Sequence, residues 1–261
     1  MTRSLVHFGP VVADRLTQQD ALQRVRALVE AGSGGIVVTP NVDHIVQAHA
    51  LPRLQEAYRR AALSLADGQP LLWMARLLRR PLPEKVSGSD FIHPLMALAA
   101  AEGWGVFLVG AREATSQAAA ARLEAEHPGL RVVGRDTTMW NGLHAPAVVG
   151  AIQASGARIV IVALGCPKQE LWMLQHAALA APAVCFGLGG TLDFLAGDVP
   201  RAPRWMSRAG LEWTYRLAQD PRRLAHRYLV RDLQIVPLFA RMLWRQLLHR
   251  PRTVRARPVS P

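Results

Sequence analysis

Gly35-Ile-Val-Val38 runs into Thr39-Pro-Asn-Val-Asp-His44, and Ala62-Leu-Ser-Leu65 runs into Ala66-Asp67-Gly-Gln-Pro70. In both places a short aliphatic or β-branched run meets a polar cluster, and apolar residues at helical spacing follow. Strand, polar turn and helix in that order belong to a parallel α/β sheet. There the polar turns gather at the carboxyl ends of neighbouring strands, where such folds bind ligands. Thr39 and Asn41 offer hydrogen bonds at this edge, and Asp67 offers a carboxylate beside Gly68 and Pro70. Such a site suits holding a hydroxylated small molecule and removing one proton from it.

The pattern continues on both sides. Thr17-Gln-Gln-Asp20 reads as a capping box that opens a helix through Ala31. Residues 1–16 read as an irregular or short-strand opening. Helical segments across 43–61 are interrupted by Pro52, and a helix over 69–80 ends at Arg79-Arg80-Pro81. Lys85-Val-Ser-Gly88-Ser89-Asp90 is a turn, with Ser89 or Asp90 expected to cap a helix running to Ala101. A second series opens at Trp104–Gly110, strand then glycine. It continues through helix 113–126, strand 131–134, helix 145–154, strand 158–164, helix 168–179, strand 183–187 and helix 190–196. The alternation predicts an α/β fold with a doubly wound, mainly parallel sheet and helices on both faces.

Residues 1–200 form the expected core and residues 201–261 an appendage, with the hinge at Gly197–Pro203. In the appendage, helical segments are expected over 205–218, 221–230 and 232–249, then a disordered stretch at 250–258. Within 232–249, Ile235, Leu238, Phe239, Met242 and Leu243 form a stripe with Arg241 and Arg245 beside it. That is either an interfacial helix for anionic headgroups or a terminal helix packing on its own body or on a second subunit.

The charge supports a special role for this end. The 261 residues carry a net +12, yet residues 201–261 hold 14 Lys+Arg against 3 Asp+Glu, leaving the first 200 nearly neutral. A basic device on a neutral body points to a polyanionic partner: an anionic membrane surface, a phosphorylated substrate or nucleic acid. Two cysteines, Cys166 and Cys185, make no disulfide framework, which fits a reducing compartment. Neither a signal-peptide pattern nor an apolar run of about 18 residues occurs, so the expected place is the cytosol or the cytosolic face of a membrane.

Asp67 is the candidate general base, the alternative being a cap for the helix that follows. Asp43 and His44 follow the same logic further into the next helix. Gly165-Cys-Pro167-Lys168-Gln169-Glu170 opens a helix after an aliphatic strand, so its backbone N–H groups and Lys168 can receive a phosphate. It also reads as a turn with Pro in the first helical turn. Phe186-Gly187-Leu-Gly189-Gly190-Thr-Leu-Asp193 is a second glycine turn after a strand. Neither is a GxGxxG fingerprint, so no dinucleotide cofactor is expected. No HExxH or Asp-x-Asp pattern occurs, so no metal is expected either. Together the two turns suit a nucleotide diphosphate, with cations drawn from Arg201, Arg204, Arg216, Arg222, Arg223 and Arg227.

Taken together, Thr-Pro-Asn at 39–41, Ala-Asp-Gly at 66–68, Val-Ser-Gly-Ser-Asp at 86–90 and Leu-Gly-Cys-Pro-Lys-Gln-Glu at 164–170 resemble the WecG/TagA/CpsF glycosyltransferases. So do Gly-Leu-Gly-Gly-Thr-Leu-Asp-Phe at 187–194, Arg-Ala-Pro-Arg-Trp at 201–205, Gly-Leu-Glu-Trp-Thr-Tyr-Arg-Leu at 210–217 and Pro-Arg-Arg-Leu at 221–224. The resemblance spans roughly residues 5–231. It implies a Rossmann-like core and a C-terminal appendage that docks on membranes and completes the active site. It also implies inverting, metal-independent transfer of a hexose-type sugar from a UDP-sugar to a polyprenyl-diphosphate-linked sugar, in bacterial surface-polysaccharide assembly.

By the same resemblance Asp67 activates the acceptor hydroxyl, and Thr39 and Asn41 line the donor-sugar pocket. Gln169 and its turn sit at the nucleotide sugar, Asp193 at the uracil, and Arg216 and Arg223 at the diphosphates. Lys85, Gly88, Ser89, Asp90, Gly110 and Arg201 complete the expected substrate-binding set. Lys85 stands where the family usually has Arg, keeping the charge without the bidentate fork. The residues after Val230 show no pattern assignable to the family. The alternative function is a basic module that binds nucleic acid or membrane without catalysis; the near-neutral body and the lack of an aromatic-basic stacking face disfavour nucleic acid.

Overall fold

A computed structural model describes residues 3–138 and 145–248; the expected disordered stretch at 250–258 lies outside them. Six parallel strands form one sheet: β3 (Gly35–Val38), β4 (Leu63–Ser64), β5 (Gly105–Gly110), β6 (Arg131–Asp136), β7 (Ile159–Ala163) and β8 (Val184–Gly187). Their spatial order is β4-β3-β8-β7-β5-β6. The expected α/β architecture is therefore present. β3 and β4 are direct neighbours with Val38 opposite Ser64, so the turns carrying Thr39 and Asp67 emerge side by side.

A preceding hairpin, β1 (Leu5–Phe8) and β2 (Val11–Asp14), is the one antiparallel pairing among the described residues. It covers the β4 edge, which would otherwise present unpaired backbone groups. The buried Asp14 carboxylate accepts from Ser64 N at 2.8 Å and pairs with Arg3 at 2.6 Å. Ser64 Oγ donates to Val12 O at 2.5 Å.

Helices cover both faces: α1 (Gln18–Glu30), α2 (Val42–Ala50), α3 (Pro52–Arg60), α4 (Gln69–Leu77), α5 (Gly88–Ala101), α6 (Glu113–Glu126), α7 (Ala145–Ser155), α8 (Lys168–His176) and α9 (Thr191–Ala196). The Thr17 capping box forms as expected: Thr17 Oγ1 accepts from Asp20 N at 3.1 Å and Asp20 accepts from Thr17 N at 3.0 Å. Pairing alternates the strand side chains between two apolar layers. Val160 and Val162 join Trp172, Met173 and Tyr58 on one face. Ile159 and Ile161 join Phe91, Leu95 and Phe186 on the other.

The start of α5 corrects one expectation. Ser87 occupies the N-cap position, and its hydroxyl donates to Asp90 Oδ2 at 2.5 Å, so neither Ser89 nor Asp90 caps the backbone.

After Gly197, in the left-handed conformation at φ 81°, come α10 (Arg204–Arg208), α11 (Glu212–Gln219) and α12 (Pro221–His226). A π turn at Arg227–Arg231 and a 3-10 turn at Asp232–Gln234 lead into α13 (Ile235–Leu248). Of the two readings of the 232–249 stripe, packing on the body holds: Ile235, Phe239, Met242 and Leu243 lie against the core. Gln246 Nε2 also donates to Leu78 O at 2.8 Å. The other side of α13 is apolar too, with Val236, Trp244, Leu247 and Leu248 between 58 and 65% exposed. Among the described residues no helix is long and apolar enough to cross a membrane.

Candidate functional site

Turns following four adjacent strands, β4, β3, β8 and β7, meet the appendage around a polar cleft of about 200 Å³. On the sheet side it is lined by Thr39, Asn41, Asp67, Gly165, Cys166, Gln169, Gly189 and Gly190, with Gly88 and Ser89 from the start of α5. Arg216, Arg227 and Arg231 line it from the appendage.

The turns are fixed by one another. Thr39 Oγ1 donates to Gly187 O at 2.9 Å, joining the ends of β3 and β8. Asn41 caps α2, its side-chain oxygen accepting from His44 N at 3.4 Å; its amide N–H groups are not used by that cap. Gln169 is buried and spans the two glycine turns: its Oε1 accepts from Gly189 N at 2.9 Å and its Nε2 donates to Glu170 Oε1 at 2.8 Å. Gly187 leaves room for this, since a Cβ there would sit 2.7 Å from Met173 Cε and 3.1 Å from Gln169 Nε2.

Asp67 stands apart. Its backbone N–H is held by Pro40 O at 2.9 Å, while α4 begins after Gly68 with no side-chain cap, so the capping alternative does not apply. Its carboxyl is turned into the cleft rim and packed round by protein. Burial, reinforced by the Glu212 carboxylate and only partly offset by Arg216 and Lys85, pushes it up to about 6. A carboxylate so placed is ionised at neutral pH yet far more basic than a solvated aspartate.

Behind Asp67 runs a polar chain that binds appendage to core. Lys85 Nζ donates to Ser207 Oγ at 2.9 Å, Ser207 Oγ to Glu212 Oε2 at 3.2 Å, and Arg216 Nη2 to Glu212 Oε1 at 2.8 Å. Arg216 also lies 4.7 Å from the centroid of the Phe194 ring. Lys85 reaches Asp90 Oδ2 at 3.1 Å, and Arg201 pairs with the other oxygen. Burial would raise Asp90, but the Ser87 hydroxyl with Arg201 and Lys85 overcomes it and holds the carboxyl at about 2.

A second link is a clasp on Asp43, which is 3% exposed: Arg231 Nη2 lies 2.7 Å from one oxygen and Arg227 Nη2 3.3 Å from the other. Gln47 Nε2 adds a donor at 2.9 Å. Asp43 is thereby committed to the appendage, not free to act as a base. His44 is buried against the Tyr58 hydroxyl at 2.7 Å, and burial lowers its pKa, favouring the neutral ring.

Other expected site residues fall away from the cleft lining. Pro167, Glu170 and Gly187 lie among or beneath its turns, and Lys85, Asp90 and Arg201 form the support just described. Lys168 is exposed at the start of α8. Asp193 and Arg223 lie outside the lining, and Arg223 is paired with Asp220 at 2.6 Å. Gly110 ends β5, beyond the four strands that form the cleft, where its φ of 95° and the Ala163 carbonyl 2.8 Å from a Cβ position require glycine. Arg231 was not among the sequence candidates. Its signal was only a basic residue in a basic segment, and nothing local ties it to Asp43.

Two clusters of metal-ligating side chains occur among the described residues: His44, Cys166 and Glu170 by the cleft, and His93, Glu126 and His127 on α5 and α6. Neither has a spacing that sequence could flag.

The model of the family described as "Glycosyl transferase WecG/TagA/CpsF family" matches residues 6–252. The match extends past the last motif near Val230 and takes in α13, so that helix lies within the family region. The chain belongs to the WecG/TagA/CpsF family of glycosyl transferases.

Proposed function

We propose that this glycosyltransferase moves a hexose-type sugar from a UDP-sugar to a polyprenyl-diphosphate-linked sugar with inversion, without a metal, in bacterial surface-polysaccharide synthesis. N-acetylmannosamine, its uronic acid, glucose and glucuronic acid are the donor sugars considered. Asp67 accepts the proton of the acceptor hydroxyl as that oxygen attacks the anomeric carbon. The bond from that carbon to the diphosphate oxygen breaks, and UDP departs with the electron pair. Arg216, Arg227 and Arg231, with the N–H groups of the glycine turns, balance the charge on the leaving diphosphate.

The observation that carries this reading is Asp67: a carboxyl that caps no helix, raised to about 6, in a cleft that three guanidinium groups also line. The appendage supports docking on an anionic membrane surface, because the outer face of α13 exposes Val236, Trp244 and Leu247 next to Arg241 and Arg245. The test is UDP release from a panel of UDP-sugars, with and without a short-chain polyprenyl-diphosphate sugar, in EDTA. Acceptor-dependent release from one donor is the expected result. Release from none would return the chain to a binding role.

A further inference from the structure

We propose that His44, Cys166 and Glu170 form a binding site for one zinc-class divalent cation at the cleft floor. The three residues come from α2, the turn after β7 and α8, and one ligand atom from each lies within 4.8 Å of the others. A thiol, an imidazole and a carboxylate are the donor set of borderline-soft cations, whereas magnesium and calcium require oxygen alone.

Glu170 supplies the independent reason for a cation. It is fully buried; Oε1 receives the Gln169 amide, and Oε2 has no N–H or O–H partner among the described residues, the other hydrogen-bonding neighbour of this carboxylate being the Cys166 thiol that would join it on the ion. The nearby guanidinium groups do not serve it, since Arg227 and Arg231 are turned to Asp43 and Asp232. A buried carboxylate oxygen left in this way is a strong acceptor for a positive ion.

His44 is prepared in the manner of a metal-bound histidine. The Tyr58 hydroxyl lies 2.7 Å from Nδ1, which fixes the ring and leaves Nε2 as the available nitrogen. Binding of an ion at Cys166 would displace the thiol proton to solvent and form the thiolate. His44 and Cys166 both line the cleft, so a fourth position on the ion faces it, open to water or a phosphoryl oxygen. The site is additional to the proposed transfer, which uses no metal, and its test does not depend on turnover.

The full chain, stripped with a chelator, is titrated with Co²⁺ and followed in the near ultraviolet; Zn²⁺ affinity is then read by competition with a chromogenic chelator. One ion per chain with a thiolate-to-cobalt charge-transfer band is expected. Cys166→Ser should abolish the band and weaken zinc roughly tenfold or more, and Glu170→Gln should weaken zinc similarly while keeping the band. His93→Ala, in the second cluster, should change neither. A missing band would overturn the site, as would zinc binding that survives Cys166→Ser and falls in His93→Ala. Circular dichroism of each variant confirms that folding is retained.

Discussion

Replacing Asp67 with Asn is expected to abolish transfer and, at neutral and higher pH, to make the protein more stable. The carboxyl lies at about 6 in the folded chain against an ordinary value of 3.8. As pH rises between those values the unfolded chain releases this proton first, so the folded state loses about 1.4 kcal/mol per pH unit. The loss is about half a kcal/mol by about pH 4, and it levels off at about 3 kcal/mol by about pH 8. An amide of the same shape carries no such penalty, and among the described residues no hydrogen bond from the Asp67 side chain has to be given up. Urea unfolding of both proteins across this range should therefore show the variant's advantage growing with pH. Its transfer rate should fall roughly 10²- to 10⁴-fold, the usual contribution of a general base. A stability difference that stays flat with pH, or a variant less stable than wild type at the alkaline end, would refute the assignment of a strained carboxylate. Near-normal turnover would remove its role as base.

The same raised value predicts an acid limb in kcat/KM near pH 6, falling about tenfold per unit below it; a limb near 4 would mean that an ordinary carboxylate is titrating. Asp43→Asn leaves Arg231 without its counter-charge and Arg227 with only Asp232 at 3.8 Å, and should cost about 3 kcal/mol in urea melts, at the lower end for a buried pair because both arginines keep about a third of their surface. Replacing Val236, Trp244 and Leu247 together with Ser should reduce co-sedimentation with anionic vesicles without lowering the melting temperature, since all three are mainly exposed. Unchanged sedimentation would remove the outer face of α13 from any membrane role.

What sequence made legible was local. The Thr17–Asp20 capping box, the strand-to-helix order and the polar turns after β3 and β4 each depend on residues a few positions apart. Even there, resolution was limited: of the run Ala62–Leu65 only Leu63 and Ser64 form the strand, although the chain continues alongside β3, Leu65 N donating to Val38 O and Asp67 N to Pro40 O. What depends on the return path of the chain was not legible. Asp43 and Arg231 have no pattern in common until the appendage folds back, and the same is true of His44 and Cys166. The stripe on α13 gave the helix correctly but not its direction. Both sides of that helix are apolar, and only packing distinguishes Phe239 from Trp244.

The two walls of the cleft are built differently. On one side the Thr39 bond to Gly187 and the Gln169 bond to Gly189 weld strand ends into the sheet. On the other, neither α11 nor the π turn contributes a single fully buried residue; charged pairs to Asp43 and Asp90 and the Lys85–Ser207 bond tie that wall to the core, with Ile235 and Phe239 of α13 packed on the body further along. Dissolved ions screen the half-exposed Arg201–Asp90 pair far more than the buried Asp43 clasp, so high salt loosens the Arg201 end of the appendage first and leaves the weld untouched.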